Sequence, residues 1–306
     1  MRVVSLLPSA TELLCRIGGS HLLVGRSHEC DFPAEVADRP VLTSQVTHAA
    51  TSAEIDRQVR EALSSGNGAG LYRLHEQALA ALQPDVILTQ DLCEVCSIDL
   101  RTVQRVAAGM QPEPRIVNLN PGTIWQVLDD LLRVGESVGL QAGAQQAMVE
   151  LREAWWSAVD FVNPYVPGPE VLFLEWCDPP FGGGHWTPEL VQAAGGRHSL
   201  GTVGAKSRQL TPEEIIESAP ERVVICPCGY GLERAWAELE SLQRTRWWPL
   251  LPAVMEGRPN AIAVVDGNQM FNRPGPRLVD AFRWMVGWLN DRPELVPADF
   301  PVRYAC

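Results

Sequence analysis

Leu140–Val162, LQAGAQQAMVELREAWWSAVDFV, is the stretch that decides the fold. Its residues Ala144, Ala147, Met148, Leu151, Trp155, Ala158 and Val162 recur at three- and four-residue spacing, which lays one apolar stripe along a helix. At 1.5 Å per residue such a helix is about 35 Å long, the width of a small domain. The chain must leave it at Asn163, Pro164, Pro167, Gly168 and Pro169.

The sequence on either side repeats one pattern. Before the helix come RVVSLLPSATELLCRIGG and then PDVILTQ. After it come EVLFLEWCDPPFGGGHWTPELVQAAGG and then ERVVICPCG. Each half opens on a β-branched apolar run, passes a Pro-containing loop into a helix, and closes that helix on Gly18–Gly19 or Gly195–Gly196. The simplest layout is α/β: two Rossmann-like lobes with largely parallel sheets, joined by a single bridging helix, with a ligand cleft between the lobes. The boundaries follow as an N-terminal lobe over 1–139, the bridge over 140–162 and a C-terminal lobe over 163–306. Residues 48–70 are expected to be an insertion, because Ser64-Ser65-Gly66-Asn67-Gly68-Ala69-Gly70 reads as a linker.

Finer signals mark the helix ends. Ser9 and Glu12 have the spacing of a capping box, as do Thr211 and Glu214. Thr187 precedes Pro188 as a helix cap would, and 72–82 reads as a helix. Trp155, Trp156, Trp284 and Trp288 are expected to be packing residues.

The chain has 306 residues, long for one core and natural for two. It is 46% hydrophobic and 20% charged, with mean hydropathy −0.05. No apolar run reaches the roughly 18 residues that span a membrane. A net charge of −12 and pI near 5.0 disfavour nucleic acid as a partner, since phosphate needs a basic face. Pro8 and Glu12 interrupt the N-terminal apolar run, so it does not read as an export signal and a cytoplasmic protein is expected.

Six of the eight cysteines fall just after predicted strands: Cys30, Cys93, Cys96, Cys177, Cys226 and Cys228. So do His28 and His185. Ligands of parallel α/β sheets bind beyond the carboxyl ends of the strands, and two readings of this placement stay open. Thiolate and imidazole are ligands for a soft metal, an iron–sulfur cluster or a metal complex, with Cys93, Cys96, Cys177, Cys226 and Cys228 as the candidate metal set. Free cysteines at such places are also ordinary small hydrophobes. Cys93–Cys96 is a C-x-x-C pair without a second pair at zinc-ribbon spacing.

Gly182-Gly183-Gly184 lacks the Lys and Ser/Thr of a phosphate loop, and reads instead as backbone that a bulky ligand can approach closely. Trp176, Phe181 and Trp186 beside it are candidates for flat apolar walls. No catalytic triad is specified by spacing, so binding without transformation is expected, with a reactive cysteine enzyme as a lesser reading.

The segments VSLLPSATELLCRIGG, VGRSHECDFP, ALQPDVILTQ, DPPFGGGHWTPELVQAAGG, PEEIIESAPERVVI and VDGNQMFNRPGPRLVDAF resemble the class III, TroA-like periplasmic-binding-protein family for iron chelates and cobalamin, and in it the cobalamin-binding branch. They run from the first predicted strand to the last helix. The resemblance implies two lobes on one helix and a corrinoid ligand such as cobalamin, or a related small-molecule metal complex. Its contacts would fall on His28, Glu29, Cys30, Gln90, Phe181, His185, Gln269, Met270 and Arg273, with His28, Cys30 or His185 as axial ligand. Glu29, Gln90 and Met270 stand where the family places aromatic side chains. The family docks on ABC importers through one carboxylate per lobe. Glu213 matches one of these positions, while the other falls on Gln77, beside Glu76, which argues against docking.

Overall fold

The structure of the chain is a computed structural model that describes residues 1–46, 51–64, 72–91 and 98–305. Two compact units are present, Met1–Pro121 with Trp125–Leu151, and Gly122–Ile124 with Arg152–Cys306.

The N-terminal unit runs β1 (Val3–Ser5), α1 (Pro8–Arg16), β2 (Leu23–Arg26), β3 (Thr43–Gln45), α2 (Ser52–Ser64), β4 (Tyr72–Leu74), α3 (Glu76–Ala81), β5 (Val86–Thr89), α4 (Leu100–Ala108), β6 (Arg115–Asn118) and α5 (Ile124–Val138). Its sheet has the order β2-β1-β5-β6 and is parallel throughout. A sheet covered on both faces calls for continuous apolar strands; Val3, Val4, Val86, Ile87 and Leu88 are all buried.

α1 begins at Pro8, whose missing N–H costs nothing at a first helical position. Its cap residue is therefore Leu7, and Ser9 and Glu12 lie buried within the helix, so the expected capping box does not form. The stretch expected as one helix over 72–82 is a strand followed by a short helix. Tyr72–Leu74 pairs antiparallel with Thr43–Gln45, and Leu74 joins Leu42 and Ile87 in the core. A three-residue strand is too short for its alternation to compete with the helical spacing around it.

α6 (Gln141–Val159) carries the apolar stripe, with Ala144, Ala147, Met148, Leu151, Trp155 and Ala158 all buried. Its residues to Leu151 belong to the N-terminal unit and those from Arg152 to the C-terminal one.

The C-terminal unit continues with β7 (Val171–Cys177), β8 (Pro180–Gly182), α7 (Thr187–Ala193), β9 (Arg208–Gln209), α8 (Pro212–Glu217), β10 (Arg222–Ile225), α9 (Leu232–Gln243), α10 (Pro252–Met255), β11 (Ile262–Val265), α11 (Leu278–Leu289) and β12 (Val302–Ala305). Its sheet has the order β12-β11-β10-β7-β8-β9. The β11-β10-β7 centre is parallel, and antiparallel strands extend it on both sides. Trp155 stacks on Phe282 at 3.6 Å between ring centres, and Trp284 stacks on both Trp288 and Phe300. Trp156, in contrast, is 53% exposed rather than packed.

The cap of α7 is Trp186, and Thr187 is buried inside the helix rather than capping it. The box at α8 forms as expected: Thr211 Oγ1 accepts the Glu214 N–H, and Glu214 accepts the Thr211 N–H at 2.8 Å. Thr211→Ala is expected to cost about 1 kcal/mol, read as a lowered urea midpoint at unchanged slope.

Candidate functional site

In the N-terminal unit the carboxyl ends of four parallel strands share one sheet edge, the place where such sheets take ligands. The turn after β2 carries His28. Ser27 O accepts the Cys30 N–H at 3.2 Å, which puts His28 and Glu29 at the centre of the turn. The His28 backbone N–H and ring Nδ1 both lie against Thr43 Oγ1, at 3.0 and 2.7 Å. That hydroxyl donates its proton to Ser27 Oγ at 3.1 Å. A hydroxyl has one proton to give, so Thr43 is an acceptor towards the ring. With the Thr43 hydroxyl donating to Ser27, the ring proton sits on Nδ1 and Nε2 is left a bare acceptor. Nε2 is buried with no hydrogen-bond partner. Burial lowers the His28 pKa, against an opposing pull from Glu29, and so favours the neutral ring. The Tyr72 ring lies 5.3 Å from that of His28, and its hydroxyl donates to Glu29 Oε1 at 2.8 Å.

Two more buried acceptors without partners lie at strand ends of this sheet, Gln90 Oε1 after β5 and Asn118 Oδ1 at the end of β6. Each such orphan costs about 1–3 kcal/mol. Three buried acceptors without partners thus lie at strand ends of this one sheet. Cys30 is not one of them: the residue is fully buried and its Sγ accepts the Thr11 hydroxyl at 3.0 Å.

In the C-terminal unit, β7 and β8 form a hairpin in which Trp176 and Phe181 are cross-strand partners, both partly exposed. The Trp176 indole N–H donates to Asp178 O at 3.2 Å, and its ring meets Tyr230 edge-on at 5.3 Å. The Arg234 guanidinium lies over the Tyr230 ring, 3.6 Å from its centre.

His185 follows the hairpin with φ 52°, a conformation that non-glycine residues seldom adopt and that concentrates at functional sites. Its half-buried ring stacks on Trp186, and burial first, then the nearby Lys206 charge, lowers its pKa. Lys206 is exposed and is the chain's only lysine.

The remaining expected residues divide differently. Trp186 is buried, with its N–H committed to Phe271 O at 2.7 Å, so it is core and not a ligand wall. Met270 and Arg273 are buried too. Gln269 is partly exposed, but it donates to Asp266 at 3.1 Å and accepts from Arg277 at 2.7 Å. Gly183 and Gly184 admit protein, not ligand: a Cβ on Gly184 would sit 2.3 Å from Ser207 N, and one on Gly183 2.6 Å from the Thr187 side chain.

The thiols correct the metal reading where they can be seen. Cys177 and Cys226 are buried, and burial raises both thiols well above their usual range, which keeps them protonated and poor ligands. Asn272 donates to Cys226 O at 3.0 Å, fixing that turn as structure. Cys228 is partly exposed, and Cys93 and Cys96 lie outside the described residues. Among the described residues no group of three or more His, Cys, Asp and Glu could hold a metal ion. Sequence reading missed Thr43, Tyr72, Asn118 and Lys206; only Asn118, at a strand end, and Lys206, through its rarity, left a signal there.

No protein-family model matches the chain. It is 24% identical over 295 residues to the vitamin B12-binding protein of Photorhabdus laumondii subsp. laumondii, covering 95% of this chain and 88% of that one. Among solved structures, the periplasmic heme-binding protein RhuT from Roseiflexus sp. RS-1 superposes with TM-score 0.70 at 18% identity, over 95% of this chain and 98% of the other. An ABC transporter substrate-binding protein from Listeria monocytogenes EGD-e gives 0.71 at 17% identity, over 95% and 98%. The cytoplasmic location expected from the N-terminal residues is overturned by this comparison, because the solved structures that share the fold include several periplasmic proteins. The resemblance read from the residues holds across almost the whole chain, which has the fold of the periplasmic binding proteins for iron chelates and cobalamin.

Proposed function

We propose that this protein is the substrate-binding component of an ABC importer for a tetrapyrrole-type metal complex, a corrinoid or a haem, and that His28 Nε2 is its axial ligand. The observation that carries the reading is the bare, buried Nε2 on a ring whose Nδ1–H is tied to Thr43. A neutral imidazole anchored through one nitrogen is the form that binds cobalt or iron through the other. Reaching it requires the atoms that now cover Nε2 to give way, and a metal bond then satisfies an otherwise orphaned acceptor. The named relatives, which bind vitamin B12 and heme, support this ligand class over a bare metal or an iron–sulfur cluster. The ligand is held, not transformed.

Importer docking would use the exposed Glu213 on the first turn of α8. In the N-terminal unit, Glu76 is tied to Arg105 at 2.6 Å, and that pair must open before the carboxylate can serve a partner.

The test is titration of the purified protein with hydroxocobalamin and, separately, with haemin. One of the two is expected to shift its visible bands at one equivalent. His28→Ala should weaken that complex at least tenfold, about 1.4 kcal/mol or more, and remove the nitrogen-ligated spectrum. Unchanged spectra with both probes would overturn the reading.

A further inference from the structure

Arg26, the last residue of β2, does more than end a strand. Its guanidinium donates to three backbone carbonyls of the loop that follows: Ser27 O at 3.2 Å, Cys30 O at 3.0 Å and Ala37 O at 2.8 Å. The first two are the ends of the turn that presents His28. The backbone of Arg26 makes a second set of bonds. Its N–H donates to Pro40 O at 2.9 Å, and its O accepts the Leu42 N–H at 2.8 Å. Leu42 precedes Thr43, the residue on which the His28 ring rests.

One residue thus fixes both sides of the Nδ1–Thr43 bond: the main chain sets where Thr43 lies, and the side chain sets how the His28 turn lies against it. A turn of this length has few bonds of its own, and side chains that lock a ligand's ring govern its tautomer and aim. Lysine could not substitute fully, since an ammonium is a compact donor where the planar fork reaches both the carbonyls of the turn and that of Ala37, eleven residues from Arg26 in sequence.

We infer that Arg26 is the positioning residue of His28, holding its ring as the single Nδ1–H tautomer with Nε2 aimed for a ligand. The ligand part of this inference rests on the function proposed above, but the tautomer part does not.

Histidine side-chain 15N–1H correlation spectra of the ligand-free protein test the second part directly. Wild type should show His28 as one Nδ1–H tautomer at pH 7.5. Arg26→Met should move its two nitrogen shifts towards the average of both tautomers, and Arg26→Lys should restore them in part. Circular dichroism keeps a folding failure distinct, and if Arg26→Met does not fold, Arg26→Lys alone must show the displacement. Unchanged His28 nitrogen shifts in a folded Arg26→Met protein, or in Arg26→Lys where Arg26→Met does not fold, would overturn the inference, whatever the probes do.

A double-mutant cycle with hydroxocobalamin or haemin reads the ligand part. Arg26→Met should weaken binding about tenfold in the wild-type background and have no effect beside His28→Ala. Equal losses in both backgrounds would show that Arg26 does not act through His28. Binding of neither probe, with the tautomer shift present, would sink the proposed function and leave the positioning role standing.

Discussion

A methyl group on Gly267 is expected to destabilise the C-terminal unit by at least about 3 kcal/mol. The Cβ of Gly267→Ala would sit 1.8 Å from Pro227 O and 2.6 Å from Pro227 C, both backbone atoms that no rotamer change can remove. Relief would need the loops after β10 and β11 to separate, yet they are bonded on each side of the contact. The Gly267 N–H donates to Tyr230 O at 2.7 Å and its carbonyl accepts the Gly229 N–H at 2.9 Å. Asn272 Nδ2 adds a further tie to Gly267 O at 2.9 Å. Gly231→Ala is the control, since its nearest neighbour would be Asp266 Oδ2 at 4.0 Å, and it should stay within about 1 kcal/mol of wild type. Urea melts of the three proteins decide. Equal midpoints for Gly267→Ala and wild type would mean that the two loops do not meet in this way.

Asp130→Asn should have the opposite sign and a clear dependence on pH. Asp130 is buried on α5, its Oδ1 bonded to Arg133 at 2.6 Å and its Oδ2 without a partner. Burial outweighs the Arg133 bond and raises the carboxyl from 3.8 to about 6. The folded state therefore holds this proton more tightly than the unfolded one. Its contribution is fully present below about pH 4 and is lost as the pH climbs through about 6, an effect of up to about 3 kcal/mol. Asparagine keeps an acceptor for Arg133 and carries no charge to desolvate. The variant should melt several degrees above wild type at pH 8 and alongside it at pH 4. Coincident melting temperatures at pH 8 would show that the carboxylate is solvated or paired.

The architecture was legible because its signals are long or strongly apolar. Proline-led helices and a 19-residue helix with one buried stripe extend over enough residues for periodicity to be read, and the parallel strands, though three to seven residues long, stand out as apolar runs. Short antiparallel pieces were not: β3 and β4 have three residues each, and β8 hides in Pro180-Phe181-Gly182, where glycine suggests an open loop. The site was legible by place more than by role. Strand-end position singled out His28 and the cysteines alike, Gln90 came from the family resemblance, and burial and hydrogen bonding then separate them. Cys30, Cys177 and Cys226 are sealed while His28 and Gln90 keep bare atoms. What makes His28 distinctive is Thr43, fifteen residues away on a ribbon that only Tyr72–Leu74 completes. Nothing local in the sequence announces that pairing.

Lys206 stands alone among 25 basic side chains, exposed and next to His185 in the C-terminal unit. Amine-directed chemistry that targets ε-amines therefore finds a single address on this chain, beside His185. A fluorophore attached there would mark the C-terminal unit at one defined point, with no engineered cysteine among the eight already present.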